Sequence, residues 1–169
     1  MNKVFIGGSR LINRLNADVT QRLERIVARQ LSVLIGDASG ADRAVQTYFS
    51  ACQYPHVTVY CTGQQCRNNV AGWPIISVPP PHHARDFQFF TAKDVVMARD
   101  AEVGLMIWDG QSRGTLVNVA RLVAARKPVV IYVSAQRDFV TVKAQAELVA
   151  LFSQCPPHVR QRLDQYLWA

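Results

Sequence analysis

A chain of 169 residues, 49% of them hydrophobic, holds enough apolar material for one sizeable core and is read as a single domain over 1–169. No apolar run approaches membrane-spanning length, and the first residues lack the charged, apolar and small-residue succession of a signal peptide; a membrane protein is excluded and a cytoplasmic one expected. The net charge of +7 comes from arginines scattered over many segments, which suits an anionic ligand but lacks the dense basic run of a nucleic-acid tail.

Lys3-Val4-Phe5-Ile6 is a short apolar run closed by Gly7-Gly8, the pattern of a buried first strand. A helix follows, with Asp18 and Gln21 spaced as a capping box and Val19, Leu23, Ile26 and Val27 at helical spacing. Ser32-Val33-Leu34-Ile35, ended by Gly36, repeats the strand, and Ala41, Ala44, Val45 and Tyr48 mark one face of a second helix. Val57-Thr58-Val59-Tyr60 reads as a third strand. The segment 62–90 breaks the rhythm, with Pro74, Pro79-Pro80-Pro81, Trp73, Phe87, Phe89 and Phe90. It is expected to be an irregular insertion with at most a short hairpin, either packed on the surface or serving as a lid or docking face.

Residues 103–108 form the next strand, followed by a helix bearing Leu116, Val119, Ala120 and Val123, and Pro128-Val129-Val130-Ile131-Tyr132-Val133 closes the series. Residues 142–152 and 157–168 read as two C-terminal helices that pack on the sheet or form an oligomer contact. Near-continuous apolar strands alternating with helices imply an α/β fold: a Rossmann-like three-layer domain with a mainly parallel sheet of five or slightly more strands.

Three segments place glycine or small residues between the carboxyl end of a strand and the amino end of a helix. They are Gly7-Gly8-Ser9-Arg10, Gly36-Asp37-Ala38-Ser39-Gly40-Ala41-Asp42, and Asp109-Gly110-Gln111-Ser112-Arg113-Gly114-Thr115. In an open parallel sheet such loops line the crevice at the topological switch point. Helix amino termini offer unpaired N–H donors there, and a missing side chain lets a phosphate approach the backbone. The third loop adds the Ser112 and Thr115 hydroxyls and the Arg113 fork, matched to phosphate geometry. Ordinary capped βα turns are the competing reading.

The chain has three glutamates, Glu24, Glu102 and Glu147, and all lie away from these loops. Asp37, Asp42, Asp94 and Asp109 remain. Asp109, at a strand's carboxyl end, is the better catalytic candidate, although Asp-Gly is also a turn signal. Cys61, Cys66, His82 and His83 have poor spacing for zinc, and neither a metal nor a cofactor is expected. The four cysteines, Cys52, Cys61, Cys66 and Cys155, are expected as reduced thiols, because a domain with its own core and no export signal does not need disulfides. No G-x-S-x-G elbow or Walker lysine motif is present.

Gly36-x-Ala38-x-Gly40-Ala41-Asp42-Arg43-Ala44, Lys93-Asp94-x-x-Met97 and Trp108-Asp109-Gly110-x-Ser112-Arg113-Gly114-Thr115 together resemble the YspA-type branch of the SLOG superfamily, over about residues 3–133. The resemblance implies a Rossmann-like sheet that binds nucleotides or nucleotide-derived molecules, as do the related phosphoribohydrolases that release cytokinin bases and sensor domains for ADP-ribose derivatives. It adds Lys93, Asp94 and Asn118 to the site. The hydrolases carry a Gly-Thr-x-x-Glu motif and an Arg-Lys pair; here Gly114-Thr115-Leu116-Val117 leads to Asn118, and no arginine precedes Lys93.

A sensor or binding module for a nucleotide-like ligand is therefore the leading expectation. An N-glycosidase using Asp109 or Asp94 is the alternative, and a single-stranded nucleic-acid-binding protein the second alternative, with the positive charge as its motive.

Overall fold

The β-branched and aliphatic runs become strands of one sheet. In the computed structural model, which describes residues 2–167 and side chains through residue 164, they are β1 (Lys3–Gly8), β2 (Ser32–Gly36), β3 (Val57–Thr62), β4 (Ile75–Val78), β5 (Val103–Trp108), β6 (Val129–Val133) and β7 (Asp138–Val142). Met1, Trp168 and Ala169 lie outside the described residues, and with them the end of the helix expected over 157–168. The helices are α1 (Ala17–Ala28), α2 (Ala41–Ala51), α3 (Phe87–Asp100), α4 (Arg113–Ala124), α5 (Gln145–Ser153) and α6 (Pro157–Leu167).

The strand order is β4-β3-β2-β1-β5-β6-β7, parallel throughout except for the antiparallel β6–β7 pair. This is the Rossmann-like α/β architecture. From β1 the chain builds outward through β2, β3 and β4, then returns to lay β5 on β1's other side. The two halves diverge at β1 and β5, where a doubly wound sheet opens its crevice.

Each face carries its own helices. Val19, Leu23 and Ile26 of α1 and Val45 and Phe49 of α2 pack with Val4, Ile6, Val33 and Ile35 on one face. Met97 of α3 and Leu116, Val119 and Leu122 of α4 pack with Phe5, Leu34, Met106 and Ile131 on the other. Leu148, Leu151, Phe152, Val159 and Leu163 extend that second core, so α5 and α6 lie over α4, with α5 also touching the edge strand β7.

Several elements differ from the sequence expectation. The N-cap of α1 is Asn16, whose Oδ1 accepts from Val19 N–H at 3.0 Å; the Asp18/Gln21 pair starts two residues further in, with Asp18 inside the first turn. Within 62–90 there is no hairpin but a fourth parallel strand, β4, paired with β3. The same segment ends in the first turn of α3, capped by the Asp86 carboxylate on Phe89 N–H at 3.0 Å. At 142 the expected helix gives way to the end of β7, because Val140 and Val142 face one core and Phe139 the other, where its ring meets Tyr132 at 5.0 Å. Cys61 and Cys66 are joined as a disulfide, against the expectation of thiols: the 62–66 turn returns the chain to the end of β3 and brings the two sulfurs together. Cys52 and Cys155 are free. No described helix is long and apolar enough to cross a membrane.

Candidate functional site: a charged cleft at the β1/β5 switch point

Because β1 and β5 are neighbours, their ends place Gly7, Gly8 and Asp109 side by side. There they floor a cleft of about 710 Å³. Its walls come from Arg10, from Ala38 and Asp42, from the amino half of α3 (Phe87, Phe90, Lys93, Asp94), from the start of α4 (Ser112, Arg113, Gly114, Thr115, Asn118), and from Arg162 of α6. A volume of this size is in the range that holds a small molecule.

Two of the glycines are demanded by close approach. A Cβ on Gly8 would sit 2.4 Å from the Ile107 carbonyl oxygen and 2.6 Å from Ala41 Cβ, so Gly8 lets α2 begin against β1. A Cβ on Gly36 would meet Asp42 Oδ2 at 2.6 Å and Lys93 Cε at 2.9 Å; its absence is what admits these two side chains. Gly114 differs, since a Cβ there would touch nothing within 4 Å. Open space faces the α4 amino terminus, and a helix amino terminus favours an anion.

The charged floor is a connected network. Lys93, 4% exposed, donates from Nζ to Phe90 O at 2.8 Å and Asp94 Oδ1 at 3.1 Å, and lies 4.0 Å from Asp37 Oδ1. Asp94 Oδ2 accepts from Asn118 Nδ2 at 3.1 Å, and Asn118 Oδ1 accepts from Arg121 Nη1 at 2.8 Å. An amide suits position 118 because it donates to one neighbour and accepts from the other; a carboxylate there would face Asp94 as a like charge.

Burial pushes the Asp42 carboxyl up to about 7. The Asp94 and Asp37 charges add to that, while Lys93 and the Ala38 N–H partly offset it. Burial also raises Asp37, but the hydrogen bonds and charge of Arg67, with Lys93, outweigh it and hold this carboxyl below its ordinary value. The Asp42 shift sets a pH dependence. Below the ordinary value near 3.8 both folded and unfolded chains are protonated there. Between that value and 7 only the folded chain keeps the proton, so stability falls as pH rises, and the whole loss is present above 7. Asp42→Asn removes the buried charge and is expected to stabilise the fold on the order of 3 kcal/mol at pH 8, and much less at pH 5. Urea unfolding at both pH values checks this; an equal effect at both would show that Asp42 titrates normally.

The structure places the sequence-derived residues unequally. Gly7, Gly8, Arg10, Asp42, Lys93, Asp94, Asp109, Ser112, Arg113, Gly114, Thr115 and Asn118 share the cleft. Ser9 is fully buried and works as a crosslink, its Oγ accepting from Asp109 N–H at 3.0 Å and its carbonyl from Ala41 N–H at 3.1 Å. Asp37 is buried under Arg67, and Gly36, Ser39, Gly40 and Gly110 shape the loops without lining the cleft. Asp109 Oδ1 accepts from the backbone N–H groups of Gln111 (2.9 Å) and Ser112 (2.7 Å), the turn-forming geometry of an Asp-Gly sequence.

The zinc grouping weighed from sequence is not assembled. Cys61 and Cys66 are bonded to each other, and His82 lies 3.3 Å from Asp86.

Sequence reasoning missed the aromatic and distant cationic walls. Arg113 lies over the Phe87 ring at 3.8 Å and Arg10 over Phe90 at 5.4 Å. Arg162 reaches across from α6 to donate to Gln111 O at 2.8 Å. The i, i+3 spacing of Phe87 and Phe90 was the one available signal; nothing in the sequence ties residue 162 to residue 111.

No protein-family model matches the chain, and no curated protein does. Among solved structures, the chain is similar to DNA processing protein A from Helicobacter pylori, described for its single-stranded DNA binding mode. The likeness is 16% in sequence and covers 98% of this chain and 81% of that one, with a TM-score of 0.58. At that identity the likeness is one of fold.

Proposed function

We propose that this chain binds a nucleotide or nucleotide-derived molecule in the β1/β5 cleft, with its phosphate at the amino terminus of α4. The observation that carries the reading is the convergence of an open helix amino terminus at Gly114, two arginines, Arg113 and Arg10, and two aromatic rings, Phe87 and Phe90, on one cleft. Helix amides and guanidinium forks suit phosphate, and ring surface suits a heterocyclic base. The motifs shared with the YspA-type SLOG proteins support the same reading.

Arg113→Ala is expected to weaken binding of AMP or ADP-ribose by about tenfold, on the scale of one charge-assisted contact, with an unchanged far-UV circular dichroism spectrum. Calorimetric titration measures it, and undiminished affinity would remove the cleft from consideration.

Single-stranded nucleic acid is the second reading. It is favoured by the fold likeness to a single-stranded DNA-binding protein and by the exposed Arg10 and Arg85 at the rim. A strand threading the cleft would bind oligothymidine with an affinity falling steeply as salt rises, because several phosphate contacts release counterions together. A mononucleotide site gives a shallow salt dependence and favours AMP over the oligomer.

A further inference from the structure

We propose that the Cys61–Cys66 disulfide is a reversible redox clip that sets the anion affinity of the cleft through Arg67. The inference rests on the anion-binding reading above and adds its regulation.

The bond spans five positions, with Cα atoms 5.2 Å apart, and ties the end of β3 to the turn that presents Arg67. That arginine is the clamp on Asp37: its backbone N–H and Nε donate to Oδ2 at 2.9 and 3.2 Å, and Nη2 donates to Oδ1 at 2.7 Å. It also lies over the Phe90 ring at 5.0 Å, and Phe90 lines the cleft. Lys93, at the cleft floor, stands 4.0 Å from the same Asp37 Oδ1. The disulfide is thus linked to the site by an ion pair and by a ring contact.

The sign follows from charge. While Arg67 neutralises Asp37, Lys93 keeps cationic field for a ligand anion. Opening the disulfide frees the turn, Arg67 leaves, and buried Asp37 takes Lys93 as its counter-ion; Phe90 loses one of its two guanidinium partners at the same time. The reduced form therefore binds anions more weakly.

Access determines the chemistry. Cys61 is buried, 1% exposed, whereas Cys66 is partly exposed. A small thiol such as glutathione attacks as its thiolate at the Cys66 sulfur, forming a mixed disulfide and expelling the Cys61 thiolate, which takes up a proton. A second glutathione thiolate releases Cys66 as thiol. Two glutathiones are oxidised to one glutathione disulfide as the protein disulfide gains two electrons and two protons, and glutathione disulfide reverses both steps.

The experiment uses the full chain with Cys52→Ser, which removes the exposed free thiol. AMP affinity is measured by calorimetry after equilibration with glutathione disulfide or with glutathione. The expected result is about tenfold weaker AMP binding in the reduced form, within the usual range of coupling between two sites. Cys66→Ser should match the reduced form, Arg67→Ala should bind weakly without responding to redox state, and a trapped mixed disulfide should map to Cys66.

Equal affinity in both states, or a disulfide that native glutathione cannot open, overturns the proposal. Uptake of one zinc ion by the reduced chain also overturns it, because Asp37, Cys61 and Cys66 offer ligand atoms within 4.8 Å of one another and would then form a metal site. If AMP binds neither state, the nucleotide reading fails and the clip is judged alone: hydrogen-exchange protection of the Arg67 amide should fall about tenfold on reduction, and unchanged protection overturns it.

Discussion

Lys93→Met is expected to destabilise the fold by roughly 3–5 kcal/mol at pH 8, as does removal of one partner from other buried ion networks. The methionine keeps the stem's volume and removes only the ammonium, so little of the loss is due to packing. Asp94 loses its 3.1 Å partner and Asp37 its nearby cation. Asp42, already raised to about 7 by burial, loses the charge that most lowers it. The loss should shrink at pH 5, because Asp42 is then protonated in the folded chain and one of the three carboxylates no longer needs a counter-charge. Denaturant unfolding at the two pH values measures the difference. A loss below about 1 kcal/mol at both would mean that water, not Lys93, solvates these carboxylates.

Gly40→Ala should be at least as damaging, about 4 kcal/mol or more, the level reached when strain and a backbone clash combine. Gly40 caps α2 with φ +79° and ψ −128°, a conformation that side chains avoid. A Cβ there would stand 2.2 Å from the Arg10 carbonyl oxygen and 2.5 Å from Arg10 Cα, main-chain atoms that cannot swing aside. The substitution would therefore part the first two glycine loops where Ala41 N–H meets Ser9 O. Gly110→Ala is the control. It has φ +82° but nothing within 4 Å of its Cβ, so it carries strain alone and should cost about 1–2 kcal/mol. Equal losses at the two positions would show that conformation, not contact, decides both. Thermal unfolding of the pair provides the test.

Legibility followed the simplicity of each residue's environment. Strands β1, β2, β3, β5 and β6 were readable because each is buried on both faces and so spells a continuous apolar run. Helix α3 was not. Its buried positions include Thr91 and Lys93, while Val95 is 51% exposed, so no apolar stripe marks the helix. Strand β4 is a short edge strand between Pro74 and Pro79 with Ile75 and Ile76 exposed, and its sequence reads as loop. The alternation in 138–142 was hidden by its nearness to a helix that begins only at Gln145.

The site divides in the same way. The three glycine loops were visible because a turn from strand to helix imposes local chemistry at fixed spacing. The Asx turn at Asp109 was legible for the same reason. The Arg67–Asp37 clamp, the Asp94–Asn118 bond and the Arg162–Gln111 bond join residues that no local rule relates.

The sequence by itself determined the five strands β1, β2, β3, β5 and β6, their burial, and the presence of small residues at three strand ends, because periodicity and turn chemistry act over a few residues. The tertiary structure alone decided that the loops meet at the β1/β5 switch, that aromatic rings and a distant arginine complete the cleft, and that one lysine stands among three carboxylates. Those outcomes depend on strand order and on charge desolvated by the whole fold, which are properties of the assembled sheet and not of any segment.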